Sequence, residues 1–191
     1  YPPQQVIGVV TFTKQLVPVY EEVADWFIDE MGAGMFIPCT FRTEGFARLE
    51  KYRYLEPSLS EYRWAFEYRA GKLGDENFLR LGSADGKAIC KNYILVKDDG
   101  DVVPCTFMQD KVVGNVHRES LADILERERD TLLFNFDIKG YCGEECDSRD
   151  ICFGCRANAL HFTGDIQASD PKCWHNPANK REHLLERIDI G

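Results

Sequence analysis

The sequence contains no apolar run that approaches the roughly 18 continuous residues of a membrane-spanning helix. Its first residues, Tyr1–Gln5, also lack the charged and apolar regions of a signal peptide. Both absences argue against a secreted protein and against a membrane partner. We therefore expect a cytoplasmic protein.

Positive charge is scarce as well. The chain has 191 residues and carries 23 Lys and Arg against 32 Asp and Glu, which gives a formal net charge of -9. Proteins that bind nucleic acids present basic patches to the polyanion. We therefore expect no nucleic-acid partner.

Cysteine is nearly absent from the first part of the chain, where Cys39 alone precedes residue 90. The other seven cysteines lie between residues 90 and 173, and none follows. In a reducing cytosol so many cysteines stay thiols unless a metal, a cluster or catalysis uses them. The chain therefore divides into a cysteine-poor and a cysteine-rich part.

The cysteine-poor part has the pattern of an α/β fold. Residues 6–13 are β-branched and apolar, which predicts a parallel strand buried on both faces. A helix over residues 19–31 and a second strand over residues 35–40 follow, and a lone cysteine such as Cys39 in an apolar strand usually packs in the interior. One such unit is too small for a doubly wound sheet or a barrel, so the pattern predicts the end of a larger α/β structure.

The rest of the chain predicts smaller elements. A helix is expected over residues 61–69, closed by Gly71, with a loop over residues 72–87. Segments 92–96 and 102–107 flank an Asp-Asp-Gly-Asp turn that is typical of a β-hairpin. Ser120 is placed to cap a helix, and a last helix is expected near the C-terminus, within residues 176–191.

The cysteine spacing points to metal ligation. It is Cys90-x9-Gly100-x4-Cys105, then Cys142-x3-Cys146-x5-Cys152-x2-Cys155, then Cys173. Inert core cysteines are scattered along the apolar faces of regular elements, whereas four of these lie within fourteen residues among small and polar neighbours. Gly154 allows a tight turn whose amides can point at sulfur, a feature of cluster-binding loops.

This order of residues resembles the SPASM domain that ends many radical SAM maturases. The resemblance covers about residues 85–175 and includes Val103-Pro104-Cys105, Val113-Gly114-Asn115, Cys155-Arg156-Ala157, Gly164-Asp165 and Asp170-Pro171-x-Cys173. It implies the end of a partial (β/α) radical SAM barrel over residues 1–70. A small cysteine-rich α+β SPASM module with a β-hairpin would follow over residues 71–175, and a C-terminal helix over residues 176–191.

The resemblance implies two auxiliary iron-sulfur clusters of the 4Fe-4S type. Cys142, Cys146, Cys152 and Cys173 would ligate one cluster, and Cys90, Cys105 and Cys155 the other. Some members have a further cysteine where this sequence has Ala84, so the second cluster would keep an open iron or recruit Cys39 or another side chain. The dense segment also runs x3, x5, x2 instead of the family's common x2, x5, x3.

Two further observations concern S-adenosylmethionine. The segment Glu44-Gly45-Phe46-Ala47-Arg48 resembles the end of a late barrel strand near the cofactor, which implies Glu44, Gly45 and Arg48 as its neighbours. The Cys-x3-Cys-x2-Cys triad that cleaves S-adenosylmethionine in this family is missing, because Arg149 stands at the third position after Cys142 and Cys146. This chain alone should therefore not cleave the cofactor.

The activity would then belong to a longer parent polypeptide, whose N-terminal barrel half is the expected partner of this chain. The family's substrates are peptides or proteins, with tetrapyrroles as a recurrent minority, and the sequence does not choose between them. Two other classes of function stay open: a stand-alone iron-sulfur electron carrier, and an interaction module stapled by zinc. Zinc also replaces iron readily in thiolate sites prepared in air, so it is expected as a substitute in crystals.

Overall fold

The computed structural model describes residues 1–42, 50–82 and 86–178, and these form two compact units. The first unit comprises residues 1–42 and 50–82 together with Lys172–Trp174. The second comprises residues 86–171 together with residues 175–178. The two units are described in turn.

The first unit begins with a strand-helix-strand motif. Strand β1 (Ile7–Phe12) leads into α1 (Tyr20–Asp25), which continues through a π-helical turn (Trp26–Glu30) to β2 (Met35–Thr40). The strands are parallel, with Ile7 opposite Met35 and Phe12 opposite Thr40. The predicted parallel pair is therefore present, and short 3-10 segments complete the unit at Pro3–Gln5, Val17–Val19, Glu50–Leu55 and Glu76–Leu81.

Helix α2 (Leu59–Leu73) is the longest helix among the described residues. It begins with a capping box, in which the Ser58 hydroxyl accepts a bond from the Glu61 amide at 3.3 Å and the Glu61 carboxylate accepts one from the Ser58 amide at 2.8 Å. The expected end at Gly71 is wrong. The helix continues until Gly74, whose positive φ of 65° closes it, because a left-handed residue satisfies the last carbonyls.

The core of this unit lies between one face of the strand pair and the helices. It is mostly aromatic and consists of Phe12, Tyr20, Ala24, Phe36, Tyr62, Ala65 and Phe66. The Tyr20 hydroxyl donates to the Ala65 carbonyl at 2.9 Å, which satisfies the one polar group that this ring buries. The Trp174 ring lies 5.3 Å from the Phe66 ring and Lys172 pairs with Glu56, so the segment Lys172–Trp174 packs within this unit.

The other face of the strand pair is exposed. Ile7 and Val9 are 56% and 57% exposed, and Met35 beside them is also exposed. The expectation of a strand buried on both faces is therefore wrong for this chain. Cys39 is exposed too, so its predicted interior packing is also wrong. Alternate strand residues point to opposite faces, and Phe12 and Phe36 occupy the face that the helices cover.

The second unit contains a small antiparallel sheet and several short helices. Strand β3 (Leu95–Val96) pairs with β4 (Asp101–Val103), and β4 pairs with β5 (Gly114–Asn115). The helices are α3 (Lys87–Cys90), α4 (Leu121–Arg127), α5 (Arg129–Leu132), α6 (Tyr141–Glu144) and α7 (Arg156–Thr163). The Ser120 hydroxyl accepts a bond from the Asp123 amide at 3.1 Å, which confirms the predicted cap of α4.

Two separate cores hold this unit together. One consists of Val102, Ile124 and Leu132 and joins the sheet to α4 and α5. The other contains Cys105, Met108, Phe134, Phe153, Ala157 and Leu160 and lies beneath the cysteine-bearing segments. Over the described ranges of the chain, no helix is long and apolar enough to cross a membrane. Residues 179–191, which contain most of the predicted C-terminal helix, lie outside those ranges.

Two substitutions in β1 test which face of the strand pair is the core. Phe12→Ala should lower the free energy of unfolding by about 3–5 kcal/mol, because it leaves a cavity in a fully buried aromatic cluster. Val9→Ala in the same strand should change it by less than about 0.5 kcal/mol, because Val9 faces solvent. Chemical denaturation of the 191-residue chain measures both values, and equal losses would contradict the assignment of the faces.

Candidate metal centre

Six of the seven predicted ligands lie in the second unit, each at the end of a short element or in a turn. Cys90 ends α3, Cys142 lies in α6 and Cys155 caps α7. Cys105 follows β4, and Cys146 and Cys152 lie in the turns between α6 and α7. Cys173 is buried within the segment that belongs to the first unit.

The hairpin group, defined as Cys90, Cys105 and Cys155, gathers around one apolar cluster. All three side chains belong to the core that contains Met108 and Phe153. The amide of Phe107 donates to the Cys105 sulfur at 3.4 Å, and the Tyr93 hydroxyl lies at the same distance from it. The three cysteines that the resemblance assigns to one cluster are thus neighbours of a common core.

The loop group, defined as Cys142, Cys146, Cys152 and Cys173, contains two sulfurs that accept backbone hydrogen bonds. The Asp170 amide donates to the Cys142 sulfur at 3.4 Å, and the Gly154 amide donates to the Cys152 sulfur at 3.2 Å. Both cysteines are buried. Amide donors aimed at sulfur stabilise the thiolate over the thiol, and the thiolate is the form that binds metal.

The protonation of the loop group reflects two opposing effects. Burial raises the pKa of Cys152 to about 11, and the bond from the Gly154 amide partly offsets this rise. The charges of Asp170, Cys142 and Cys146 add to the rise. Burial also raises the pKa of Cys142, with the Asp170 amide acting against it. A metal that binds here therefore has to displace protons.

A cavity of about 440 Å³ opens beside these sulfurs. Its lining includes Cys142 and Cys152, apolar side chains and charged side chains; the apolar ones are Phe136, Ile138 and Phe153, and the charged ones are Lys87, Asp137, Glu144 and Arg149. This volume lies within the range of roughly 300–1,000 Å³ that is common for ligand sites. Sulfur ligands in a wall of mixed polarity are compatible with an iron-sulfur cluster, whose potential depends on burial and on hydrogen bonds to sulfur.

Gly154 is required by the geometry of this loop. Its φ is +71°, which confirms the predicted tight turn. A Cβ atom at this position would lie 3.1 Å from the Cys142 sulfur, 2.7 Å from Cβ of Asp170 and 2.9 Å from Nη2 of Arg156. The backbone thus approaches the sulfur closely because residue 154 has no side chain.

Sequence reasoning did not single out two of these neighbours as functional residues. Arg156 and Asp170 are both buried beside the cysteine loop. Both lie in the segments that resemble the family, Cys155-Arg156-Ala157 and Asp170-Pro171-x-Cys173, which is the signal that could have identified them. Residue type alone could not have identified them, because the side chains of Arg and Asp are usually exposed.

The structure does not bring all of the residues predicted to bind a metal or a cofactor together at one site. Within residues 1–42, 50–82 and 86–178, no three His, Cys, Asp or Glu side chains converge as they would around a single metal ion. Glu44, Gly45 and Arg48, the predicted neighbours of S-adenosylmethionine, lie outside these ranges, as does Ala84. Cys39 belongs to the first unit. The sulfur-directed amides and the sulfur-lined cavity are what fit a cluster in the second unit.

Alanine at two glycines tests the close approach at Cys142. Gly154→Ala and Gly164→Ala both place a side chain at positive φ, which costs an L-residue roughly 1–2 kcal/mol. Gly164 has open space around its Cβ position, whereas Gly154 has the Cys142 sulfur and Asp170. Gly154→Ala should therefore lower the iron and sulfide bound after anaerobic reconstitution, and Gly164→Ala should not. An equal loss in both variants would show that only backbone strain matters.

Comparison with known proteins finds relatives that align with most of the chain. The chain is 27% identical over 161 residues to an AdoMet-dependent heme synthase of Nitratidesulfovibrio vulgaris, an alignment that covers 83% of this chain and 40% of the relative. It is 26% identical over 164 residues to an AdoMet-dependent heme synthase of Oleidesulfovibrio alaskensis, covering 84% of this chain and 38% of the relative.

A third relative, an AdoMet-dependent heme synthase of Methanosarcina barkeri, is 31% identical over 90 residues, which is 46% of this chain and 25% of the relative. The chain thus spans two fifths or less of the length of these curated relatives. No solved structure matches it.

Residues 89–156 match the SPASM family, described as an iron-sulfur cluster-binding domain, and this range contains six of the seven predicted ligands. Residues 89–156 of this chain are therefore a SPASM domain.

Proposed function

We propose that this chain is the auxiliary-cluster region of an AdoMet-dependent radical enzyme and binds two iron-sulfur clusters. The observation that carries the proposal is the pair of cysteine groups in a domain of a cluster-binding family, with backbone amides aimed at three of their sulfurs. When bound, such clusters supply electron transfer or an iron atom that coordinates substrate. The chain's own residues supply the thiolates and orient them.

The hairpin group and the loop group each hold one 4Fe-4S cluster in this proposal. The shared apolar core of Cys90, Cys105 and Cys155 supports the first group. The backbone amides of Asp170 and Gly154, which donate to the sulfurs of Cys142 and Cys152, support the second. The hairpin group has three thiolates, so its fourth iron position is open to substrate, to water or to another side chain. Cys173 is assigned to the loop group as its fourth ligand because its position in the chain matches the cysteine spacing of the family.

The exposed face of the strand pair supports a larger parent structure. Parallel sheets are almost always covered on both faces, yet Ile7, Val9 and Met35 form an apolar surface exposed to solvent. The curated relatives are also more than twice as long as the aligned region. In our proposal the remaining strands of a (β/α) barrel cover this face. That barrel binds S-adenosylmethionine, with Glu44, Gly45 and Arg48 at its edge.

The substrate of the parent enzyme is proposed to be a tetrapyrrole. Three relatives named AdoMet-dependent heme synthase align with this chain, two of them over more than four fifths of its length. This favours the tetrapyrrole branch over the modification of peptides or proteins. Zinc remains a competitor for the same thiolates in preparations exposed to air.

Anaerobic reconstitution of the 191-residue chain tests the cluster proposal. About eight iron atoms and a similar amount of sulfide should bind per chain, as two cubane clusters require. Mössbauer spectroscopy distinguishes the cluster types. Cys39→Ser is the matched control and should bind as much iron as the parent sequence, because Cys39 is exposed on β2 and belongs to neither cysteine group.

Cys155→Ala should remove about half of the iron and leave the Mössbauer signal of the loop group unchanged. Cys146→Ala should also remove about half of the iron but leave the signal of the hairpin group unchanged. Zinc uptake without iron uptake in the parent sequence would refute the proposal in favour of a zinc-stapled module.

A second experiment tests the substrate class. The complete parent polypeptide, supplied anaerobically with S-adenosylmethionine, dithionite and a tetrapyrrole extract, should form haem, which is measured as its pyridine complex. Cys142→Ala in the same polypeptide should form much less, because it removes a thiolate of the loop group. Consumption of S-adenosylmethionine with a peptide but without haem formation would contradict the assignment to tetrapyrroles.

A further inference from the structure

The guanidinium of Arg156 is enclosed beneath the cysteine loop. The residue is 2% exposed, and Nη1 donates to the carbonyls of Ile166 and Ala168 at 2.8 and 2.7 Å. Nη2 donates to the carbonyl of Phe153 and Nε to that of Gly154 at 3.4 Å. All four acceptors are neutral. The hydrogen bonds therefore satisfy the donors of the guanidinium without cancelling its charge.

Asp170 is the buried anion of the same region and contacts both cysteine groups. It is 0% exposed, and its carboxylate accepts a bond from the Cys155 amide at 2.8 Å and one from the Asn158 side chain at 3.2 Å. Its own amide donates to the Cys142 sulfur at 3.4 Å. One residue thus links the backbone of the hairpin group to a sulfur of the loop group.

Arg156, Asp170 and the Cys142 sulfur all lie beside Gly154. The position that a Gly154 Cβ would occupy lies 2.9 Å from Nη2 of Arg156, 3.1 Å from the Cys142 sulfur and 2.7 Å from Cβ of Asp170. Burial lowers the pKa of Arg156, while Asp170 and the nearby cysteines oppose this change. Arginine remains protonated in proteins, so a full positive charge stays close to the loop group.

A purely structural role for this pair is the alternative. A clamp on four carbonyls needs donors but no charge, and buried charged groups of opposite sign are weak support for stability, since apolar replacements are often neutral or stabilising. Buried charges act strongly on their neighbours because little water screens them. Thiolate-ligated clusters carry a net negative charge, and the uptake of one electron adds another without making or breaking a bond to the protein.

We propose that Arg156 and Asp170 are positioning residues that set the reduction potential of the cluster at the loop group, in opposite directions. This inference rests on the proposed function, because it requires that the loop group holds a cluster. The positive charge of Arg156 favours the reduced state and raises the potential. The negative charge of Asp170 disfavours that state and lowers it.

Three variants separate charge from structure. Arg156→Gln removes the charge and keeps a donor, Arg156→Lys keeps the charge and loses the planar fork, and Asp170→Asn is nearly isosteric and neutral. Arg127→Gln is the control, because Arg127 pairs with Glu119 on the exposed surface of the same unit, where solvent screens its charge. Each variant of the 191-residue chain is reconstituted anaerobically, and its iron and sulfide are counted first.

A redox titration with dithionite as electron donor and mediator dyes, followed by electron paramagnetic resonance, then gives the midpoint potentials. Arg156→Gln should lower the midpoint potential of the cluster at the loop group by about 59 mV, which corresponds to a roughly tenfold change in the one-electron reduction equilibrium. Asp170→Asn should raise it by a similar amount. Arg156→Lys and Arg127→Gln should leave it unchanged, although Arg156→Lys should unfold more easily.

Two results would overturn the inference: equal shifts in Arg156→Gln and Arg156→Lys, or unchanged potentials in all variants at full iron content. Either result would leave Arg156 with a structural role only, as a clamp on the backbone carbonyls. If Arg156→Gln does not load iron, the direction of the shift in Asp170→Asn decides the question. Failure of the parent sequence itself to bind iron would instead refute the proposed function.

Discussion

The close approach of the backbone to the Cys142 sulfur is the constraint on which the rest of the second unit depends. At Gly154 the chain passes so near this sulfur that no side chain fits, and its positive φ turns the backbone toward α7. That turn brings the Gly154 amide to the Cys152 sulfur and lets Asp170 reach the Cys155 amide. The two cysteine groups are thus connected through one compact arrangement of backbone and buried charge.

Charge burial gives this arrangement its chemical character. An ordinary core would exclude both Arg156 and Asp170, because an unpaired charge in a low dielectric medium is costly. Here each side chain is satisfied by hydrogen bonds, chiefly to the backbone. Their net charges still act on the sulfurs nearby. A site built in this way can adjust the electron affinity of a bound cluster without contributing a ligand to it.

Prediction from the sequence worked best where local geometry controls the structure. The cap at Ser120 and the turn at Gly154 depend on neighbouring residues and on backbone preferences, so a short pattern identifies them. The parallel strand pair follows from the order strand, helix, strand. Prediction from the sequence was less accurate for the burial of side chains. Cys39 was expected in the interior and is exposed, because burial depends on which further layers cover a strand and not on the strand's own residues.

The sequence by itself determined the cysteine ligand set as a hypothesis and the SPASM family of residues 89–156, because both are properties of spacing and residue type along the chain. Only the tertiary structure decided that Cys90, Cys105 and Cys155 share one core, and that Arg156 and Asp170 lie beneath the loop group. These contacts join residues that are far apart in the chain, and their formation depends on how several short elements pack together.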